Sequence, residues 1–577
     1  MVRFFMLRLV SFALMLGCTG VGVATAQSTT RISVSSSGLP GSDVSSTPRV
    51  SDDGRFVVFI TNADNLVAGG ASGSLQTYVH DRVTGVTELV SANPAGLPGN
   101  SHSFADGHAN VSSLHCDLVT FSSLASDLVP GDTNVSSDVF VRNRISNTTT
   151  LVSTNAAGQQ GNSYSDFASI SIDGNFVAFE SLASNLVPFD TGQKQDVFVK
   201  NLATGAVELV SKTYLNNFPN GDSGSPAISN DGRWVAYASD ATSIVQFDQN
   251  GARDIFVRDR LNGTTERISV NSAGNEGNAS SDEPYISTDG MRIAFQSHAS
   301  NLVANDTNGF LDVFLRDRVL ATTVRVSVGS SGTQANGASY PTSISARGRY
   351  IAFYSAASNL FAADTNNMSD AFRYDLYTGV LDVLSVSSTG VLGDDFSEVP
   401  SLSAAGDVVA YSSNATNLIA GDTNGTRDVF VRDLLSTATP ITSYCTAKAN
   451  SNGCVSSIGS SGLASASNTD AFRLCAGNVT PFVTGLFFFG KTAAAAPFHG
   501  GTLCLAAPLS RSPALNIGTN QGGCGGAIGF ALTSSLLASR GFISGDTGYA
   551  QFWFRDPGFA FPDDMAMTDA LSFTVEP

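Results

Sequence analysis

The chain has 577 residues, of which only 14% are charged, and its 31 Lys and Arg against 49 Asp and Glu give a formal net charge of −18. Five residues are Lys and no basic run occurs, which excludes the cationic patches that nucleic-acid and anionic-membrane binding require. Beyond the amino terminus nothing approaches about 20 apolar residues in succession, so no helical membrane span is expected.

Residues 1–26 read as an export signal. Arg3 and Arg8 supply the positive start, Leu9 to Leu16 is apolar, and Ala24-Thr25-Ala26 gives a small-x-small cleavage pattern ahead of Gln27. Removing the two arginines leaves 29 basic against 49 acidic residues, a net charge of −20. Met15-Leu16-Gly17-Cys18 is a poor lipobox. The expected product is a soluble monomer, secreted or held in the periplasm or cell envelope.

Thr30-Arg31-Ile32-Ser33-Val34 comes next, before any complete repeat, and matches a phrase that recurs later as Arg267-Ile268-Ser269-Val270. From there the chain is periodic. Asp138, Asp196, Asp254, Asp312, Asp370 and Asp428 stand 58 residues apart, opening DVFVRN, DVFVKN, DIFVRD, DVFLRD, DAFRYD and DVFVRD. A period that regular means one structural unit copied in tandem. Within the fifth copy, Pro284–Ser287, Arg292–Ser297, Asp312–Asp317 and Val324–Val328 read as four short strands separated by turn signals such as Thr288-Asp289-Gly290. Four strands per unit with both faces apolar describe a sheet packed between neighbouring sheets, a β-propeller blade.

Second strands occur seven times: Phe56–Phe59, Leu118–Phe121, Phe176–Phe179, Trp234–Tyr237, Arg292–Phe295, Tyr350–Phe353 and Val408–Tyr411. Residues 27–443 are therefore expected to form a seven-bladed β-propeller. The orphan strand at Thr30–Val34 is the favoured closing strand of the last blade, with Thr439-Pro440-Ile441-Thr442 as the competitor.

The loop between second and third strands carries Asp-x-Asn/Gly-x-x-x-Asp in six copies. Asp132/Asn134/Asp138, Asp306/Asn308/Asp312, Asp364/Asn366/Asp370 and Asp422/Asn424/Asp428 are the candidate calcium loops, because oxygen ligands at positions 1, 3 and 7 of a tight loop can gather around a hard cation. Asp248/Asn250/Asp254 shares the pattern, and Asp190/Gly192/Asp196 carries Lys194 at position 5. The competing reading is that Asp and Asn cap turns by accepting nearby backbone N–H groups. Calcium is the one cofactor the sequence suggests.

Other motifs carry less. Gly221-Asp222-Ser223-Gly224-Ser225-Pro226 resembles a serine-protease nucleophile motif, yet it occupies an inter-blade loop that the repeat already explains, and no His–Asp pair accompanies it. His102, His108, His115 and Cys116 crowd into the second copy without a zinc-ligand spacing. His499-Gly500-Gly501 lacks a Gly-x-Ser-x-Gly elbow.

After Ser443 the period stops, and five of the seven cysteines follow. Apolar runs at Phe472–Val479, Gly485–Phe489, Thr502–Ala507, Ala527–Leu532, Ala550–Phe554 and Leu571–Val575 predict a small disulfide-containing β-sandwich over 444–577. Proximity favours Cys445–Cys454 and Cys504–Cys524, leaving Cys475 over.

Ser-x-Asp-Gly-Arg-x-Val-Ala-Phe followed by Asp-Val-Phe-Val-Arg-Asp resembles the WD40-like (PD40) repeats of TolB-type propellers, over about residues 31–443. The resemblance implies an all-β propeller. It does not imply the Tol–Pal role, since TolB carries an α/β domain ahead of its propeller for which this chain leaves no room. The segment that begins Tyr444-Cys445-Thr446-Ala447-Lys448 resembles a C-terminal module of secreted proteins from planctomycete-like bacteria. Near-identical blades favour a non-enzymatic binding or scaffold protein whose long-loop rim meets an extracellular or cell-surface protein or glycan. The alternative is a hydrolase or lyase with its site at the central channel.

Overall fold

The computed structural model describes residues 27–70, 73–105, 111–112, 116–191, 194–329, 332–434, 442–444, 448, 456–461, 472–479, 483–498, 501–516, 526–543, 546–556 and 565–575. The expected export signal lies outside them.

Seven antiparallel sheets follow one another along the chain, each built of successive strands in spatial order from the inside outward. Blade one comprises Ser45–Val50, Phe56–Thr61, Gln76–Asp81 and Thr87–Leu89. Blade four comprises Ser223–Ile228, Trp234–Ser239, Asp254–Asp259 and Thr264–Arg267. Blade two is the irregular one, its inner strand split into Ser103–Phe104 and Val111–Ser112. The last blade takes Ser397–Leu402, Val408–Ser413 and Asp428–Asp433 from the end of the repeat and its outer strand, Ser28–Arg31, from the start of the chain. Arg31 pairs with Phe430 and Ser28 with Asp433, so the ring closes with the edge of Asp428–Asp433 covered by the start of the chain. Of the competing segment Thr439–Thr442 only Thr442 is among the described residues, and Thr442–Tyr444 pairs with Met565–Thr574.

Alternation along each strand sends large apolar side chains into the spaces between blades. In all seven blades an aromatic residue of the second strand faces one of the third, from Phe353–Phe372 at 5.4 Å between centroids to Phe59–Tyr78 at 6.1 Å. These rings are fully buried. Each such group joins residues of two neighbouring blades, as where Ile255 and Val257 of blade four meet Phe295 and Phe314 of blade five. The core is thus a ring of interfaces rather than one centre.

Turn chemistry fixes one rim. Ser287 Oγ donates to Asp289 Oδ1 at 2.6 Å, Gly290 takes φ +75°, and the Arg292 N–H returns to Ser287 Oγ at 2.9 Å. At the channel the middle residues of these turns link blade to blade. The Asn230 N–H donates to Thr288 O, Thr288 to Ala346 O, Ala346 to Ala404 O and Ala404 to Asp52 O, at 2.9–3.1 Å.

The C-terminal segment forms two further principal sheets. One holds Thr442–Tyr444, Met565–Thr574, Thr547–Arg555, Thr484–Gly490 and Ser510–Arg511 in that order, and the other Ser457–Ser461, Phe472–Val479 and Gly526–Leu532. Leu474, Phe487, Phe489, Leu532, Phe552 and Phe554 share one core between them. A short helix, Ser534–Ser539, is capped by Thr533, whose Oγ1 accepts the Leu536 N–H at 3.2 Å. Cys504 is buried, while Cys445, Cys454 and Cys524 lie outside the described residues.

Candidate functional site

The repeated aspartate starts the third strand of blades two to seven, as its spacing predicts. It is buried in every one, and a serine two residues past the fourth strand donates to it: Ser153 to Asp138, Ser211 to Asp196, Ser269 to Asp254, Ser327 to Asp312, Ser385 to Asp370 and Ser33 to Asp428, at 2.5–2.7 Å. The same serine accepts the next backbone N–H of the third strand, as Ser327 does from Val313 at 3.1 Å. One function of the ladder is therefore internal: it ties the third strand to the fourth.

The second carboxylate oxygen faces the loop, and here the blades divide. In blade five Arg325 Nη1 stands 3.0 Å from Asp306 and 3.1 Å from Asp312. In blade seven Arg31 bridges Asp422 at 2.7 Å and Asp428 at 3.3 Å. In blade four Arg267 reaches Asp248 at 3.2 Å and Asp254 at 3.6 Å. These loops carry a buried guanidinium between the two acids, in the space that the sequence reading offers to a calcium ion. Asn308 and Asn424 serve the turn, each Oδ1 accepting a backbone N–H two residues on and each Nδ2 donating to the ladder carboxylate.

Blades two, three and six have Leu151, Leu209 and Val383 where the arginine would be. In blade two Gln160 Nε2 donates to both Asp132 (2.7 Å) and Asp138 (2.8 Å), while Asn134 Nδ2 donates to Gly161 O. Blade six has neither device: Asp364 Oδ1 is buried without a hydrogen-bond partner, and Asn366 accepts from Met368 N–H. Burial pushes Asp138 and Asp370 up to about 6 and Asp196 to about 7, against the lowering effect of their serine donors.

The other motifs resolve into structure. Ser223 is buried and shares a hydrogen bond with Ser239 at 2.8 Å, the same first-to-second-strand clasp seen at Ser339–Ser355 and Ser397–Ser413. His102 Nδ1 accepts the Leu75 N–H, and the Cys116 thiol is pushed up to about 12 by burial. His108, His115, His499 and Gly500 lie outside the described residues. Among the described residues no three Asp, Glu, His or Cys side chains converge as a metal site would require.

The channel contains a cavity of about 110 Å³. Blade one breaks its pattern, placing Arg49 and Asp52 where other blades have Ser169 or Ala227 and Ile172 or Ala404. Asp52 Oδ2 is buried without a partner, and burial followed by the charge of Asp53 pushes the carboxyl up to about 7. Tyr285 lines the same space.

The two rims differ in kind. On the tight-turn rim, arginines just after the third strand staple blade to blade. Arg144 pairs with Glu88 at 2.8 Å and stacks over Phe56, Arg260 pairs with Glu208 at 3.1 Å and stacks over Phe176, and Arg318 pairs with Glu266 at 3.0 Å and stacks over Trp234. On the long-loop rim the loops between residues 124 and 253 hold Asp127, Asp132, Asp190, Asp222 and Asp240 against Lys194, Lys212 and Arg253, two negative charges in excess, Asp248 being buried against Arg267. The bridging Arg31, Arg267 and Arg325 are only 5–9% exposed and present no cation outward.

That rim also carries a feature the sequence reading did not single out. The residue before the first loop aspartate, or before Gly70 at the sister position of blade one, lies in the left-handed region in six blades: Gly69, Gly131, Asn305 and Gly421, but Phe189 (φ +69°) and Phe247 (φ +62°) in blades three and four. Three residues after that aspartate the same is true of Gly251, Gly309, Asn367 and Gly425, but in blade two the residue is Val135 (φ +59°). A side chain with a Cβ costs roughly 1 kcal/mol or more there relative to glycine. Yet Val135, Phe189 and Phe247 are 92%, 94% and 83% exposed and gain almost no burial in return. The inter-blade loop after blade three reads Tyr214-Leu215-Asn216 where other copies read Ser36-Ser37-Gly38 or Ala156-Ala157-Gly158, and both large side chains are exposed.

No family model matches the chain. No curated protein matches it either. Among solved structures, a TolB from Agrobacterium tumefaciens is 17% identical over 49% of this chain and 80% of its own, with a TM-score of 0.31. The RRP9 WD40 repeats are 10% identical over 71% of this chain and 99% of theirs, with a TM-score of 0.38. The periplasmic gluconolactonase PpgL of Pseudomonas aeruginosa is 15% identical over 59% and 84%, with a TM-score of 0.29. The strand order described above makes the chain a seven-bladed β-propeller; these likenesses concern the fold and carry no activity.

Proposed function

We propose that the chain is an exported, non-enzymatic binding or scaffold protein that presents the long-loop rim of its propeller to another protein or to a glycan. The supporting observation is the contrast between the rims. The tight-turn rim commits its arginines to inter-blade bridges, whereas the long-loop rim carries excess carboxylates; exposed apolar side chains occur on both rims, as at Val83, Leu261 and Val319 on the first, but only on the long-loop rim do Val135, Phe189 and Phe247 stand exposed on left-handed backbone. The test attaches a polyethylene glycol chain through Ala363→Cys on the long-loop rim or Val83→Cys on the tight-turn rim, and measures binding to a panel of purified cell-envelope proteins and polysaccharides. Binding should fall at least 10-fold with the first block only. Loss with the second block alone would overturn the reading.

A second reading, a hydrolase or lyase at the channel, draws on Arg49, Asp52 and Tyr285 around the cavity. It supplies one carboxylate where paired acid–base work needs two.

Calcium remains part of the proposal for loops without an arginine. Asp364 and Asp370, with a buried oxygen lacking a donor, fit a cation better than Asp306/Asp312 or Asp422/Asp428, where a guanidinium holds the space. Asp132/Asp138 are already bridged by Gln160. If calcium binds, the melting temperature rises over that in chelator, and Val383→Arg abolishes the rise by filling blade six as blade five is filled. Equal melting in both buffers sinks the metal.

A further inference from the structure

We propose that Val135, Phe189, Tyr214, Leu215 and Phe247 form an arc on the long-loop rim of blades two to four that docks a basic polypeptide segment bearing large apolar side chains. The inference rests on the rim reading above and names the partner for it.

Three departures from the repeat coincide. Phe189 and Phe247 replace glycine or asparagine at one left-handed position, Val135 replaces them at another, and Tyr214-Leu215 replaces a pair of small residues. Drift would scatter such changes around seven blades. Here they fall on three consecutive ones and on the same rim. The Tyr214 N–H donates to Ser243 O at 3.4 Å, so the inter-blade loop touches the very loop that carries Phe247. Folding does not account for the side chains, since they are exposed and the backbone under three of them favours glycine.

The chemistry of the occupant follows from the composition of the arc. Two of its five residues, Val135 and Leu215, are aliphatic and offer no ring face for a sugar to stack on, whereas apolar side chains of a polypeptide pack against aliphatic and aromatic groups alike. The surrounding loops are negative by two charges, and their one guanidinium, Arg253, is engaged by Asp240 and Asp282. A complementary segment is therefore basic.

The test uses the full mature chain and three synthetic peptides read by fluorescence anisotropy. One alternates Lys with Leu and Phe, one alternates Lys with Gly, and one alternates Glu with Leu and Phe. The first should bind at least 10-fold more tightly than either other. Changing Val135, Phe189 and Phe247 together to Gly should weaken that binding at least 10-fold while the melting temperature stays the same or rises. A structural role would instead lower the melting temperature. Equal binding of the Lys-Gly peptide, or unchanged binding by the triple variant, overturns the proposal. So does binding of neutral oligosaccharides in place of the peptide with loss in the triple variant, which makes the arc a glycan site. Leu39→Ser with Leu97→Ser, across the same rim, separates the two levels: loss there and not in the triple variant ends the arc proposal and leaves the rim reading standing.

Discussion

In blade five the Ser327 hydroxyl donates to Asp312 at 2.6 Å and accepts the Val313 N–H at 3.1 Å, all three groups being buried. Removing the hydroxyl leaves a carboxylate oxygen short of a donor and an N–H short of an acceptor, each shut away from water. Such groups cost about 1–3 kcal/mol when orphaned. Ser327→Ala should therefore destabilise the propeller by about 2–4 kcal/mol, whereas Ser300→Ala on the exposed loop, which loses one solvent-accessible bond to Asn278, should cost under about 0.5 kcal/mol. Urea unfolding of the two variants checks the contrast; equal midpoints would mean that the ladder aspartate is not held by its serine.

At the scale of the strand, the closing element depends on both its backbone and one side chain. Ser28–Arg31 completes the last sheet, and Arg31 neutralises Asp422 and Asp428 within it. Arg31→Leu keeps the register but leaves two buried acids without a cation, a loss of about 3–5 kcal/mol. Deleting residues 27–34 also exposes the edge Asp428–Asp433, so that variant should aggregate on heating where Arg31→Leu only melts earlier. Light scattering during a thermal ramp distinguishes them. The closing strand was legible in the sequence because Arg31-Ile32-Ser33-Val34 repeats Arg267-Ile268-Ser269-Val270. The seven second strands were legible for the same reason, each beginning at the expected residue and running two residues further, to Thr61 or an equivalent serine. The guanidinium bridges were not. Arg325 lies 13 residues beyond Asp312, and Arg31 lies at the far end of the chain from Asp428, so a reading of the loop alone sees paired carboxylates and supplies a metal. The signal was present only in part: copies four and five carry the arginine with the acids and copy one has neither, but copies two, three and six keep the acids without the arginine. The arc of Val135, Phe189 and Phe247 escaped because a left-handed backbone is not visible in residue type until glycine and asparagine at sister positions are aligned against them.

For the whole molecule, the uncompensated acids set how stability depends on pH. Asp52 and Asp196 are raised to about 7, and Asp138 and Asp370 to about 6, all by burial first. A carboxyl raised on folding keeps its proton in the folded state after the unfolded chain has released it. Between about pH 4 and pH 7 the folded state therefore binds more protons, and stability falls as pH rises through that window. Asp81 and Asp259 work in the opposite sense, lowered to about 2, Asp81 by Arg55 and backbone donors against burial and Asp259 chiefly by Arg233, but their contribution is lost only as pH falls below about 4. The two windows barely overlap, so melting temperature should peak near pH 4–5 and decline toward pH 8. Asp52→Asn with Asp370→Asn removes two of the four most strongly raised carboxyls while preserving their shape. That variant should melt within a degree of the parent at pH 4.5 and above it at pH 8, by on the order of 1 kcal/mol per group after allowance for solvent screening. A parent curve that rises from pH 5 to pH 8 would instead mean that these carboxylates are met by cations in solution, and repeating the ramp in chelator would then restore the decline.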